Sequence, residues 1–245
     1  MIDGHAASLE GGTGRRRSRL RRGLGRLLVR WTVGAVLAFL VASVVMVAIY
    51  RVVPVPVTLT MLTDPNGFTK SWTSISEINR NMVDAAIAGE DGKFCSHHGF
   101  DKDAIRQAWE RNQEGGRIRG GSTISQQTAK NVFLWQGGGY LRKGLEAWFT
   151  VLIEHMWPKR RIIEVYLNVA ETGIGTYGVE AGAQRYFDKS AAALSPVEAA
   201  RIAAVLPLPK RRPVNGAEGF VRRHGNAIAS QIGNVRGGFD SCVYH

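Results

Sequence analysis

The longest apolar stretch of the chain, Trp31 to Tyr50, runs for twenty residues without a charge. At about 1.5 Å per residue a helix of that length crosses the ~30 Å hydrocarbon core of a bilayer. A cleaved signal peptide is the alternative, but its apolar region usually covers only about 7 to 15 residues, and no small-x-small pattern follows Tyr50. Residues 51–70 carry Pro54 and Pro56, which favour an extended linker over a helix. Beyond the linker, helical spacing takes over. Ile78, Met82, Ala86 and Ile87 recur at helical intervals, and Ser74 with Glu77 supplies a capping-box start, so a buried helix is expected to give way to a loop at the acidic pair Glu90 and Asp91. Asp101 is placed to cap a helix carrying Ala104, Ile105, Ala108 and Trp109 on one side. Ser122, after a Gly pair, reads as the next N-cap, and Pro158 opens a helix with Ile162, Val165, Tyr166 and Val169 facing inward. Ser195-Pro196-Val197-Glu198 combines an N-cap, a first-turn proline and a capping-box Glu, with Pro207 as the stop. Apolar alternation over strand lengths is scarce and no internal repeat is visible. The pattern therefore predicts one mainly α domain over 71–245 behind a single N-terminal transmembrane helix.

Charge changes this picture at one end only. The formal net charge is +12 over 245 residues, but Arg15, Arg16, Arg17, Arg19, Arg21, Arg22, Arg26 and Arg30 all precede the apolar span. Much of the excess belongs to a basic arm, residues 1–30, rather than to a nucleic-acid-binding face, and no nucleic-acid partner is expected. The same asymmetry puts the N-terminus in the cytoplasm and residues after Tyr50 outside it. Residues 1–14 are Gly-rich and without periodicity, and read as disordered. The two cysteines, Cys95 and Cys242, lack metal-ligand spacing and are too few for a disulfide framework. A bridge between them is open, and two unpaired thiols are the simpler reading.

Candidate chemistry gathers in short strings. A half-buried Glu at a helix end is suited to acid or base work, and Glu90 and Asp91 sit there within E-D-x-x-F-x-x-H-x-G-F-D, completed by Phe94, His97, Gly99, Phe100 and Asp101. Arg117 to Asn131 reads R-I-R-G-G-S-T-I-S-Q-Q-T-A-K-N, bringing amides and a cation to one helix start, which suits a ligand with both sugars and phosphate. In Arg142-Lys143-Gly144-Leu145-Glu146 the three charged groups share a helix face. Arg160, Glu164 and Asn168 repeat at i, i+4, i+8, and the loop Gly173 to Gly178 leads to a helix with Glu180, Ala181, Ala183, Tyr186 and Phe187. In this order the strings resemble the motifs of the peptidoglycan glycosyltransferases over about residues 70 to 210. The absence of Ser-x-x-Lys and Lys-Thr-Gly makes the chain look like the monofunctional type, without a transpeptidase domain.

The resemblance implies a lysozyme-like fold of two lobes flanking a cleft, and lipid II and the growing glycan strand as partners beside the bilayer, with cell-wall synthesis or division proteins as further ones. It implies Glu90 and Glu146 as the catalytic carboxylates. It places Asp91, His97, Ser122, Thr123, Gln126, Gln127, Lys130, Asn131, Arg142 and Lys143 on the substrate. No cofactor is required and no metal ligand is assigned, although Glu146 either orients the cations or binds a divalent ion at the diphosphate. The fourth and fifth strings read as scaffold, with Glu171 a further carboxylate to follow. Two rivals remain: a lytic transglycosylase or lysozyme-like hydrolase, which would not need the cations, and a non-catalytic wall-binding protein, which would not need both carboxylates.

Overall fold

The computed structural model describes residues 11–113, 121–206, 209–211, 214 and 219–244. The chain divides into two compact units, Met1–Met46 and Val47–His245. A helix, α1, runs over Gly11–Tyr50, and its part Gly25–Tyr50 is long and apolar enough to cross a membrane. Helix therefore replaces the disorder expected for residues 11–14, because extending an existing helix costs far less than starting one. Residues 1–10 lie outside the described residues.

In the second unit the proline-containing connector opens with a turn at residues 51–53 and holds no regular structure until one helical turn, α2 (Leu59–Leu62), capped by Thr58. The principal helices follow: α3 (Arg80–Glu90), α4 (Lys102–Gln113), α5 (Ile124–Phe133), α6 (Tyr140–Met156), α7 (Lys159–Val169), α8 (Val179–Phe187), α9 (Pro196–Val205), α10 (Phe220–Asn234) and the short α11 (Ser241–Tyr244). Three short strands, β1 (Thr69–Lys70), β2 (Glu171–Gly173) and β3 (Thr176–Tyr177), form a sheet in the order β1-β3-β2. Strands of two or three residues leave no alternation to read, so the mainly α expectation holds.

The helices pack in two groups. Met82, Val83, Ala85, Ala86 and Ile87 of α3 are buried, and α3 packs on α9 and α10. In the other group α5 lies against α6 and α7, with Phe133 stacked on Phe149 at a centroid distance of 4.5 Å. Helix α7 ties distant segments to this group. Arg161 donates to the carbonyls of Tyr50 and Val53, Glu164 accepts from the Ile75 N–H, and Asn168 exchanges two hydrogen bonds with the Thr73 backbone.

That anchoring corrects the expected start of α3. Ser74 and Glu77 make only part of a capping box, the Ser74 N–H donating to Glu77 at 3.3 Å, while residues 73–75 are held on α7. The helix begins five residues later, capped by Asn79, whose Oδ1 accepts from the Asn81 N–H. Two other starts agree with the sequence. Asp101 accepts from the backbone of Asp103 and Ala104, and Ser195 with Glu198 forms a complete capping box. Ile105 is nonetheless exposed, and Pro207 lies outside the described residues.

The two cysteines are joined, which overturns the unpaired reading. Cys95 and Cys242 form a disulfide with Cα atoms 5.4 Å apart, closing a loop across 147 residues. The same tail is held by Arg80 on Asp240 and Arg236 on Asp84, and the Tyr244 ring lies under Arg80. A loop this long restricts the unfolded chain strongly, and native bridges are typically worth about 2–4 kcal/mol. Cys242→Ser should lower the unfolding temperature by roughly 5–15 °C. Thermal denaturation under oxidising and reducing conditions checks this, and an unchanged midpoint contradicts it.

The fifth string acts as scaffold. Gly178 has φ +84°, and a Cβ there would lie 2.9 Å from the Asn168 carbonyl, so glycine lets the chain turn closely onto α7.

Candidate active site

Glu90 ends α3, where the apolar run stops, and its carboxylate is half-buried. Its Oε2 accepts a 2.6 Å hydrogen bond from Gln127 Nε2 on α5. Gln127 in turn accepts at Oε1 from the hydroxyl of Tyr166 on α7, at 3.4 Å. Tyr166 is fully buried, and burial together with the charges of Glu90 and Asp91 raises its phenol well above the usual range, so it stays a donor.

Asp91 turns away from this line. Its carboxylate bonds His97 Nε2 at 2.8 Å and accepts from the Ile124 N–H at 3.0 Å, placing a negative charge on the first turn of α5. The Gly99 N–H donates to His97 Nδ1, which makes Nε2 the protonated nitrogen that donates to Asp91. Both side chains are largely buried, so they clasp the loop to α5.

The cap of α5 is Thr123, one residue later than expected. Thr123 and Gln126 form a reciprocal capping box, and the Thr123 hydroxyl also donates to the Gly99 carbonyl at 2.7 Å. Both residues are buried, so their polar atoms are committed to the scaffold rather than turned to a ligand. The adjacent glutamines divide: Gln126 closes the helix and Gln127 reaches Glu90. Asn131 accepts weakly from Gln136 at 3.4 Å. Residues Arg117 to Gly120 of the same string lie outside the described residues.

Glu146 is 3% exposed and holds both cations of its string. Arg142 Nη1 donates to Oε2 at 2.7 Å and Lys143 Nζ to Oε1, while Lys143 also reaches the Ser122 hydroxyl at 3.4 Å. The buried Nε of Arg142 has no hydrogen-bond partner among the described residues. Lys130, on the same turn of α5 as Gln127, senses both carboxylates. Burial lowers its pKa; Glu146 opposes that, Arg142 and Lys143 add to it, and Glu90 again opposes. The structure thus gathers Glu90, Gln127, Lys130, Arg142, Lys143, Glu146 and Ser122 into one electrostatic neighbourhood.

Each oxygen of Glu146 accepts from one cation, and no group of three ligating side chains that could hold a metal ion occurs among the described residues. Glu171 belongs to a separate cluster. It lies 3.6 Å from Lys210, which bonds Asp64 at 2.9 Å beside the Tyr177 hydroxyl. Sequence reasoning missed Tyr166 as a polar partner and Arg161 as an anchor; both looked like members of a helix whose inward face is apolar.

A mainly helical domain with one carboxylate at a helix end, and a second holding two cations near a half-buried lysine, has the parts of a glycosyl-transfer site for a donor with an anionic leaving group. The family model described as Transglycosylase matches residues 58–232. Proteins named Biosynthetic peptidoglycan transglycosylase are similar over most of the chain. The one from Caulobacter vibrioides is 48% identical over 222 residues, covering 89% of this chain and 97% of its own length. The one from Xanthomonas axonopodis pv. citri is 47% identical, covering 86% and 90%. The one from Bdellovibrio bacteriovorus is 49% identical over 218 residues, covering 84% and 87%. The chain belongs to the transglycosylase family.

Proposed function

We propose that this chain is a membrane-anchored peptidoglycan glycosyltransferase that polymerises lipid II into β-1,4-linked glycan strands. The observation that carries the reading is the Glu146 site, where two cations converge on a buried carboxylate beside Lys130, within a chain of this family. A substrate that leaves as a diphosphate needs such preorganised positive charge.

In this reading Glu90 removes the proton from the C4 hydroxyl of the acceptor sugar as that oxygen attacks C1 of the donor. The C1–O bond to the diphosphate breaks with its electron pair on the departing oxygen, and C1 inverts from α to β. Lys130, Arg142 and Lys143 stabilise the charge that grows on the leaving group. Glu146 orients Arg142 and Lys143 and takes no part in proton transfer. No step is routed through a metal. Incubating the detergent-solubilised full chain with lipid II should yield a lysozyme-sensitive polymer and undecaprenyl diphosphate in step; release of lipid without polymer would contradict glycosyl transfer to sugar.

The anchor is α1, with the basic arm in the cytoplasm and the catalytic unit outside. The Cys95–Cys242 bridge supports this orientation, since disulfides persist in oxidising compartments. A reporter fused after His245 should be active only on the outer side of the cytoplasmic membrane. Activity confined to the cytoplasm would reverse the topology.

A further inference from the structure

We infer that Tyr166 and Gln127 are positioning residues that set the orientation and basicity of the Glu90 carboxylate. The inference rests on Glu90 being the general base, and it assigns to α7 a part in the chemistry beyond scaffold.

The relay runs in one direction. Tyr166 is fully buried on α7 and its hydroxyl donates to Gln127 Oε1 at 3.4 Å. The Gln127 amide presents Nε2 to Glu90 Oε2, donating at 2.6 Å, because the carboxylate can only accept. The Tyr166 hydroxyl braces the other end of the same amide. Removing that hydroxyl would leave Gln127 held at one end only and let it shift away from Glu90. The Thr123 hydroxyl and the Gln126 side-chain carbonyl are held by the α5 cap.

The Gln127 donor stabilises charged Glu90 over the protonated acid, so it holds the working pKa down. Losing the donor raises that pKa. A base must be ionised to act, so the acid limb of the rate profile moves to higher pH. Among the described residues, the ionisable groups facing this end of α3 include Tyr166 itself, Lys130 from α5, with the Arg142–Lys143–Glu146 set beyond it, and the neighbouring Asp91. Helices α9 and α10 meet the adjoining Gly89 through the apolar Ala203 and Ile228. Apart from the phenol of Tyr166, none of these is altered by Tyr166→Phe.

The test is the pH profile of kcat and KM for lipid II polymerisation by the detergent-solubilised full chain. Tyr166→Phe keeps the ring in the core. It should lower kcat about 5- to 10-fold, leave KM within about twofold, and move the acid limb up by roughly half a unit to one unit. Gln127→Ala, which does not touch the buried ring, should move the limb by about one unit or more in the same direction. Gln126→Ala is the control: it breaks the α5 cap and should lower the unfolding temperature while leaving the limb in place. A loss of rate in Tyr166→Phe and Gln127→Ala with the limb unmoved would mean that they act only through stability, and would overturn the inference. Wild-type rate and profile in both would do the same. Glu90→Gln, assayed alongside, separates the two levels: an active Glu90→Gln enzyme removes the base assignment, and the positioning role with it. An inactive one with unshifted profiles in the other variants removes the positioning role alone.

Discussion

Glu90→Gln is expected to reduce lipid II polymerisation by about 10²- to 10⁴-fold, the usual cost of losing a general base. The substitution keeps the shape of the side chain and can still hydrogen bond, so the end of α3 and its packing on α9 should be unchanged. It cannot accept the proton of the attacking hydroxyl. The loss should fall on kcat, with lipid II bound as tightly as before, because in the proposed reading binding draws on the cations around Glu146. Steady-state rates at saturating lipid II, together with a binding measurement, check this. Near-normal turnover would place the base elsewhere, and Glu171 is poorly placed to replace it, being occupied with Lys210 in another cluster.

Lys143→Ala is expected to slow undecaprenyl diphosphate release by about 10²- to 10³-fold, the cost of removing one preorganised donor from a developing negative charge. The ammonium is held by Glu146 and the Ser122 hydroxyl, yet the side chain is 48% exposed. It is therefore fixed at its tip while remaining open to a ligand. Lys143→Arg keeps the charge and should retain more activity than Lys143→Ala, though not all of it, since the two cations differ in geometry. Single-turnover release of the lipid diphosphate measures the step directly. Equal rates for wild type and Lys143→Ala would remove this residue from diphosphate stabilisation.

Features that depend on near neighbours along the chain are legible in the sequence. The uncharged run Trp31 to Tyr50 is the apolar part of α1. The Ser195-Pro196-Val197-Glu198 string starts α9, and Asp101 caps α4. The triplet Arg142, Lys143 and Glu146 shares a face because one helical turn separates Glu146 from both cations. Features decided by partners far along the chain are not legible in this way. The start of α3 lies later than its local cap suggests because Asn168 and Glu164 hold residues 73–75, a competition that no local cap can signal. The disulfide depends on the C-terminal tail returning to the loop after Glu90, across 147 residues. Asp91, His97, Thr123 and Gln126 lie in strings that also contain Glu90 and Lys130. Only their geometry separates groups that clasp the loop and the helix from groups left to meet a substrate. Tyr166 is legible as an inward residue of α7, but its hydroxyl's partner lies 39 residues away on α5.

An active site that builds glycan strands from a diphosphate-linked donor should not cut finished ones. A glycan-cleaving enzyme expels a sugar hydroxyl and gains little from Lys130, Arg142 and Lys143, whereas a polymerase must hold a diphosphate through the transition state. The most direct measurement presents the detergent-solubilised full chain with lipid II and, separately, with mature lipid-free peptidoglycan, and follows polymer, undecaprenyl diphosphate and soluble glycan fragments. Polymer and lipid diphosphate are expected from the first substrate and no fragments from the second. Fragments from mature strands with lipid II left intact would contradict strand synthesis.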